Sequence, residues 1–392
     1  MKEPIINFNA GELTPLVDAR ADIVKYAAGC RTCENMIPLV YGAAERRPGL
    51  EFINDSYDDT VVGRVIPFIY SNEIAYVIEM SSLINRYYFD GGIVLDNDSN
   101  EVTTDTPYSG SDLFQIQYAQ SIDVMWLVHG DYAPRVLKRI SASEFTLEEV
   151  VFKYGPFLPR NDYFNGDDIT LSSSVTTKDE VGTLTAAGPM SPVLVFEAGH
   201  VGSLWRLTLP RATTGTSGTA TGTGVIGSAI DIDGPFTLKT SGNWGATVEL
   251  QRNEASNGWE TYRTWVSVLT GEVGSLNAQY TGMEYAQNVQ YRINVTSYSA
   301  GTVRAYLTVN TSTQSGIVKI QSVEATDSAT VKVISKIAST DTTKQWYEGA
   351  WSGVRGYPKA VTFFQSRCVY AGTDDQPQSL WFSETGNYGR ID

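Results

Sequence analysis

The feature that most constrains this chain is a pair of short strands that recurs. Val65–Leu95 reads VIPFIYSNEIAYVIEMSSLINRYYFDGGIVL. Ile66, Phe68 and Tyr70 alternate with other residues, Ser71-Asn72 turns the chain, and Ile74, Tyr76 and Ile78 alternate on the return. Apolar residues at period two, broken by short polar turns, mark half-buried antiparallel strands. The unit returns at Phe114–Val128, with a turn expected at Ala119–Ser121, and again at Val361–Gly372, with a turn at Gln365-Ser366. Tyr70, Tyr118 and Phe364 are expected in equivalent sheets. A meander of this size cannot bury both faces alone, and radial stacking of such meanders is the propeller solution.

The chain has 392 residues, enough for two or three cored domains, and its aromatic, Thr- and Gly-rich composition favours an all-β protein. A net charge of −15 argues against wrapping nucleic acid, which needs clustered Lys and Arg, but suits a wall that nucleic acid slides past. The three cysteines make no disulfide framework. Cys30 and Cys33 form a CxxC with no second pair or nearby His to complete a zinc tetrad, so buried structural thiols are the preferred reading over a redox pair or a half zinc site. No apolar leader and no membrane-length run is evident, and the chain reads as soluble and made in the cytoplasm.

The expected architecture is a partial β-propeller with an inserted β-sandwich and a short N-terminal arm carrying one helix. Residues 1–52 form the arm, with an amphipathic helix over Asp22–Met36 ended by Pro38. Residues 53–192 carry the first blades, 193–339 the sandwich, and 340–392 the return to the propeller. Arg46 and Arg47 stand adjacent in an acidic chain. They are candidates for a subunit contact or a contact in a DNA channel, against the blander reading of a solvated turn. Asp96–Glu101 imitates the start of a calcium loop but lacks its glycine and terminal glutamate, so it reads as an acidic turn. Residues 212–227 are low-complexity and read as an exposed loop or edge hairpin. Trp244 and Trp259 are candidates for a glycan platform, although inward alternation favours a core role for the sandwich aromatics.

No catalytic motif appears. His129 and His200 have no motif neighbours, and no HExxH, GxSxG, P-loop or GxGxxG occurs. Adjacent acids occur at Glu148-Glu149, Asp167-Asp168 and Asp374-Asp375, but a glycosidase sets its carboxylate pair through the fold rather than by adjacency. The expectation is no enzyme activity, no catalytic residue, no cofactor and no metal site.

Two stretches carry a resemblance. One runs Asn7-Phe8-Asn9-Ala10-Gly11-Glu12-Leu13-Thr14-Pro15 through Arg20-Ala21-Asp22 to Arg46-Arg47-Pro48-Gly49. The other runs Trp351-Ser352, Arg355-Gly356-Tyr357-Pro358, Phe363-Phe364-Gln365-Ser366-Arg367, Trp381-Phe382-Ser383 and Thr385-Gly386-Asn387-Tyr388. Together they resemble the tail nozzle (tail tubular protein B) family of short-tailed bacteriophages, a resemblance weakest in the sandwich, which looks like a variable insertion. The resemblance implies a virion structural protein of the tail, assembled in the host cytoplasm. Such a protein forms a homo-oligomeric ring, typically a hexamer, below the portal and adaptor proteins. It conducts DNA through its channel during ejection and seats tail fibres or spikes. Family members run on through more blades than the three hairpins here. Two alternatives remain open: a receptor- or glycan-binding tail module, and a tail-associated glycosidase.

Overall fold

Strand pairing turns the recurring hairpins into stacked sheets. The computed structural model describes residues 7–161, 168–189, 192–254, 257–268 and 277–391. Residues up to Ser56, with Gly91–Ile93, form one unit, and the remainder forms a second.

In the second unit three meanders stand as blades. Blade 1 contains Arg64–Ile69, Ala75–Ser81 and Ile84–Phe89, with Thr103–Asp105 paired against Ile84–Arg86. Blade 2 is Gln117–Ser121, Val124–His129, Tyr132–Ser141 and Glu144–Glu149, each strand paired with the next. Blade 3 is Ala360–Phe364, Arg367–Ala371, Leu380–Glu384 and Asn387–Ile391, in the same order. The fold class is therefore all-β with propeller-type blades and a sandwich. Tyr118 and Phe364 lie in equivalent strands but not at equivalent positions: Tyr118 packs on the core between blades 1 and 2, whereas Phe364 is exposed. The second turn is Ile122-Asp123, not Ala119–Ser121, because Ser121 still pairs with Val124.

One apolar core joins blades 1 and 2, where Phe68, Tyr76 and Tyr87 surround Phe145 and the Tyr87 and Phe145 rings stack at 4.0 Å. Another joins blades 2 and 3, where Trp126 meets Phe363 and Tyr388 edge-on at 5.0 and 5.3 Å. Between blades 2 and 3 the connector runs alongside the last strand of blade 3. Lys153 N–H donates to Gly389 O, and Ile391 N–H donates to Tyr154 O. These bonds pack the connector against blade 3; residues 162–167, Asp167 among them, lie outside the described residues.

Between blades 2 and 3 the chain also makes a six-stranded sheet, in the order Thr170–Ser173, Val181–Ala187, Ser328–Ser335, Thr313–Ala325, Leu204–Pro210 and Trp346–Tyr347. This sheet draws strands from ahead of residue 193 and from beyond residue 339. Its core holds Trp205 stacked on Trp346 at 5.5 Å. The sandwich proper lies between Gly215 and Val309, as two four-stranded sheets closed over one apolar core. Residues 212–227 supply the edge strand Gly215–Ala220 of one sheet and begin the edge strand Gly224–Asp231 of the other.

The first unit corrects one expectation. Asp22–Met36 is not an amphipathic helix. It holds a single 3-10 turn at Tyr26–Ala28, after which Gly29-Cys30 pairs in parallel with Gly11-Glu12. Helices of this length are held by burying an apolar face, and the residues at helical spacing, Ile23, Tyr26, Cys30 and Cys33, are only half-buried here. Gly29 lies extended against the Leu13 side chain, which fills the space a Cβ would need. Met36–Pro38 and Ala44–Arg46 then form a hairpin. Among the described residues no helix is long and apolar enough to cross a membrane.

Candidate functional site

One buried polar constellation among the described residues joins residues far apart in sequence. Ala198–His200 forms a 3-10 turn that buries the His200 ring. Its Nδ1 accepts the Glu197 N–H at 2.9 Å, which leaves the hydrogen on Nε2, facing Glu348 Oε1 at 3.1 Å. Glu348 follows the short strand Trp346–Tyr347 and is itself buried. Arg355 grips it with two donors, Nε to Oε1 at 2.7 Å and Nη2 to Oε2 at 2.9 Å, and reaches Asp375 with Nη1 at 3.4 Å. Burial alone would push the Glu348 carboxyl up. The hydrogen bonds from Arg355 and His200 outweigh it and hold the group below the usual glutamate range. The same contact raises Arg355.

A cavity of ≈ 270 Å³ opens beside this network, lined by Pro159, Asn161, Trp346, Glu348, Arg355 and Asp375 among others. Chemically the arrangement is a buried, hydrogen-bonded ion pair. Glu348 Oε1 takes two donors and Oε2 one, and this charge-assisted bonding holds the carboxylate ionised and makes it a weak base. Sequence reasoning missed Glu348, although it singled out the nearby Arg355-Gly356-Tyr357-Pro358. Nothing local marks a Glu whose partners lie in other segments.

The sequence candidates fall elsewhere. Trp244 is fully buried in the sandwich core, which corrects its reading as a glycan platform: sheet alternation turns it inward. Trp259 is half-buried, and the Arg292 guanidinium sits 4.2 Å from its ring centre, occupying one face. The two tryptophans are not brought together as a platform. Arg46 is exposed at the end of the arm hairpin. Arg47 is tied back to Asn35, its Nε donating to Oδ1 at 2.6 Å. Cys30 and Cys33 are half-buried free thiols rather than buried ones, their sulfurs directed at the Gly11 and Met36 carbonyls. Burial, with Cys33 alongside, pushes the Cys30 thiol up, which disfavours the reactive thiolate. The adjacent acids are matched to cations: Glu148 to Lys138, Glu149 to Arg135 and Asp374 to Lys359. Asp96 accepts the N–H groups of Asp98 and Asn100, a self-capped turn. Among the described residues no cluster of three or more His, Cys, Asp or Glu could hold a metal.

No family model matches the chain, and no curated protein matches it. Among solved structures it is similar to the exo-beta-1,3-galactanase of Phanerochaete chrysosporium with galactose, at 9% identity and a TM-score of 0.14, over 69% of this chain and 68% of that one. A variant of that enzyme with beta-1,3-galactotriose matches at 8% identity and a TM-score of 0.14, over 69% and 68% of the two chains. The expectation that the chain is not an enzyme is corrected to the extent that these two matches are structures of an enzyme, an exo-beta-1,3-galactanase. The correction lifts an exclusion and nothing more: at this TM-score the likeness transfers neither activity nor site.

Proposed function

We propose that the chain is a structural component of a bacteriophage tail, of the nozzle type. The observation that carries the reading is where the resemblance-bearing residues lie. They are used to lock sheets to one another. Trp351 sits in the core between blades 2 and 3, Tyr357 N–H donates to Gly130 O of blade 2, and Arg355 binds the Glu348–His200 pair. Gly353 N–H donates to Gly199 O, at a contact so close that a Cβ on Gly199 would fall 2.9 Å from the Gly353 backbone.

On this reading the mechanism is mechanical and electrostatic. Copies assemble as a ring beneath portal and adaptor proteins, seat fibres or spikes, and pass DNA through a channel. A net charge of −15 supports passage without adhesion, since acidic walls repel phosphate. Electron microscopy of the purified protein and of the parent virion tests it. Rings and a tail location are expected; absence from virions would overturn the reading.

A further inference from the structure

The six-stranded sheet has two faces, and the connector between blades 2 and 3 covers part of one. Trp205, Leu207, Val318 and Ile320 alternate onto the face that holds the sheet's own core. Leu204, Arg206 and Lys319 alternate onto the other, since successive side chains of a strand point to opposite faces. On that second face the Arg206 guanidinium sits 3.8 Å from the Tyr347 ring centre and 4.9 Å from that of Phe157, and its Nη1 donates to the Tyr154 hydroxyl at 3.0 Å. Next to Leu204 the packing is incomplete. A cavity of ≈ 180 Å³ remains, walled by Phe152 and Pro156 of the connector, Leu204 and Ile334 of the sheet, and Trp351.

The polar side chains around this cavity are mostly donors. Lys319 lines it from the sheet, half-buried, and Lys153 lines it from the connector. Neither has a carboxylate partner among the described residues, in a chain whose acids outnumber its lysines and arginines by 44 to 29. Lysines in or beside the same sheet are matched: Lys332 to Asp179, Lys336 to Asp231 and Lys344 to Asp168. Glu149, the carboxylate of the described lining, is committed to Arg135 at 3.3 Å. Trp351 is 6% exposed, and its Nε1–H is buried without an acceptor. An indole nitrogen can only donate, and a buried donor left unpaired is costly. Burial, with Glu149 nearby, pushes the Tyr357 hydroxyl up, so this lining group also stays protonated.

Apolar walls, surplus donors and two unmatched cations are the complement of an anion with an apolar body. Size narrows the choice, because a dry apolar cavity of about 150 Å³ takes a benzene ring. We propose that this cavity binds a small organic carboxylate, aromatic or of similar bulk. Its body packs against Phe152, Leu204 and Trp351, while its carboxylate lies toward Lys319 and Lys153 and accepts the Trp351 N–H. An inorganic anion would leave the walls unfilled, and a neutral ring would leave both ammonium groups and the indole N–H without a partner. The ligand touches sheet and connector together, so its binding ties the exit of blade 2 to the six-stranded sheet. The site does not depend on the tail reading.

Isothermal titration calorimetry of the purified protein with benzoate tests it, with benzyl alcohol as the uncharged probe of similar shape. Saturable one-to-one binding of benzoate is expected, about tenfold or more tighter than that of benzyl alcohol. Lys319→Met keeps the apolar stem and removes the charge. It is expected to weaken benzoate about tenfold or more and to leave benzyl alcohol unchanged. Lys153→Gln is expected to weaken benzoate less, because that side chain is exposed. Lys344→Met, which removes an ammonium that pairs with Asp168, should leave benzoate binding unchanged. Benzoate should also raise the melting temperature of the wild type more than that of Lys319→Met. Absence of saturable binding to the wild type, benzyl alcohol binding as tightly as benzoate, or benzoate binding that Lys319→Met leaves intact would each overturn the site.

Discussion

At Glu348 two opposing effects meet, and their balance can be read by titration. Desolvation disfavours the carboxylate, while Arg355 and His200 favour it more, so the folded state holds the group below its unfolded value. A depressed carboxyl contributes stability that is present above its unfolded pKa and is lost as pH falls through the folded one. Urea midpoints should therefore decline as pH drops below the usual glutamate range, and this part of the decline should vanish in Glu348→Gln. Removing the carboxylate outright leaves Arg355 with only the exposed Asp375; Glu348→Ala should cost about 3–5 kcal/mol, as broken buried pairs do. Strain offers the opposite case. Ile122 leads the blade 2 hairpin turn at φ 54°, a left-handed conformation that β-branched residues resist, and its side chain is in solvent. Ile122→Asn suits a two-residue hairpin turn and should raise stability by about 1 kcal/mol in urea melts, with no change in function.

Each element's stability depends on the sheet beside it. Trp126 of blade 2 reaches across to blade 3, meeting both Phe363 and Tyr388. Trp126→Ala should cost about 3–5 kcal/mol, and hydrogen exchange should show the loss of protection concentrated in blade 3. Gln120 acts across the other junction: its side-chain amide donates to Ile69 O at 2.9 Å and accepts Ile69 N–H at 3.0 Å, capping the outer strand of blade 1. At this scale the alternation in Ile66–Phe68 and Val124–Val128 was legible, because period two is written locally and sheet burial enforces it. The arm helix was misread for a related reason. Ile23, Tyr26, Cys30 and Cys33 have helical spacing, but spacing stabilises a helix only where a core receives the stripe, and all four are only half-buried. The buried network was illegible because His200, Glu348 and Arg355 are brought together by long-range ties, the pairing of Leu204–Pro210 with Trp346–Tyr347 and the Gly353–Gly199 contact, which no local pattern encodes.

For the whole molecule the question is how a chain with blades at both ends accommodates a sandwich in its middle. Leu204–Pro210 pairs antiparallel with Thr313–Ala325, and the last pair of that ladder is Pro210–Thr313. The sandwich therefore leaves and re-enters the six-stranded sheet where a tight hairpin turn would otherwise sit, so the two ends of the insertion are neighbours before it folds. A guest placed this way imposes little loop-closure cost on its host. The apolar residues of the sandwich form a core of their own, separate from the one holding Trp205 and Trp346. Its ties to the host are polar: Asn288 Nδ2 to Ile334 O, Lys336 N–H to Asn288 Oδ1, Ser335 Oγ to Gln287, and Lys336 to Asp231. Replacing residues 211–312 by Asn-Gly should then leave the six-stranded sheet and the blades folded. The measurement is near-UV circular dichroism of the stacked Trp205–Trp346 pair together with a cooperative melt. Both should survive excision, with a loss of about 1–3 kcal/mol from the severed polar contacts. Collapse of the Trp signal would mean that host and guest share one folding unit, and that the blades hold their arc only with the sandwich in place.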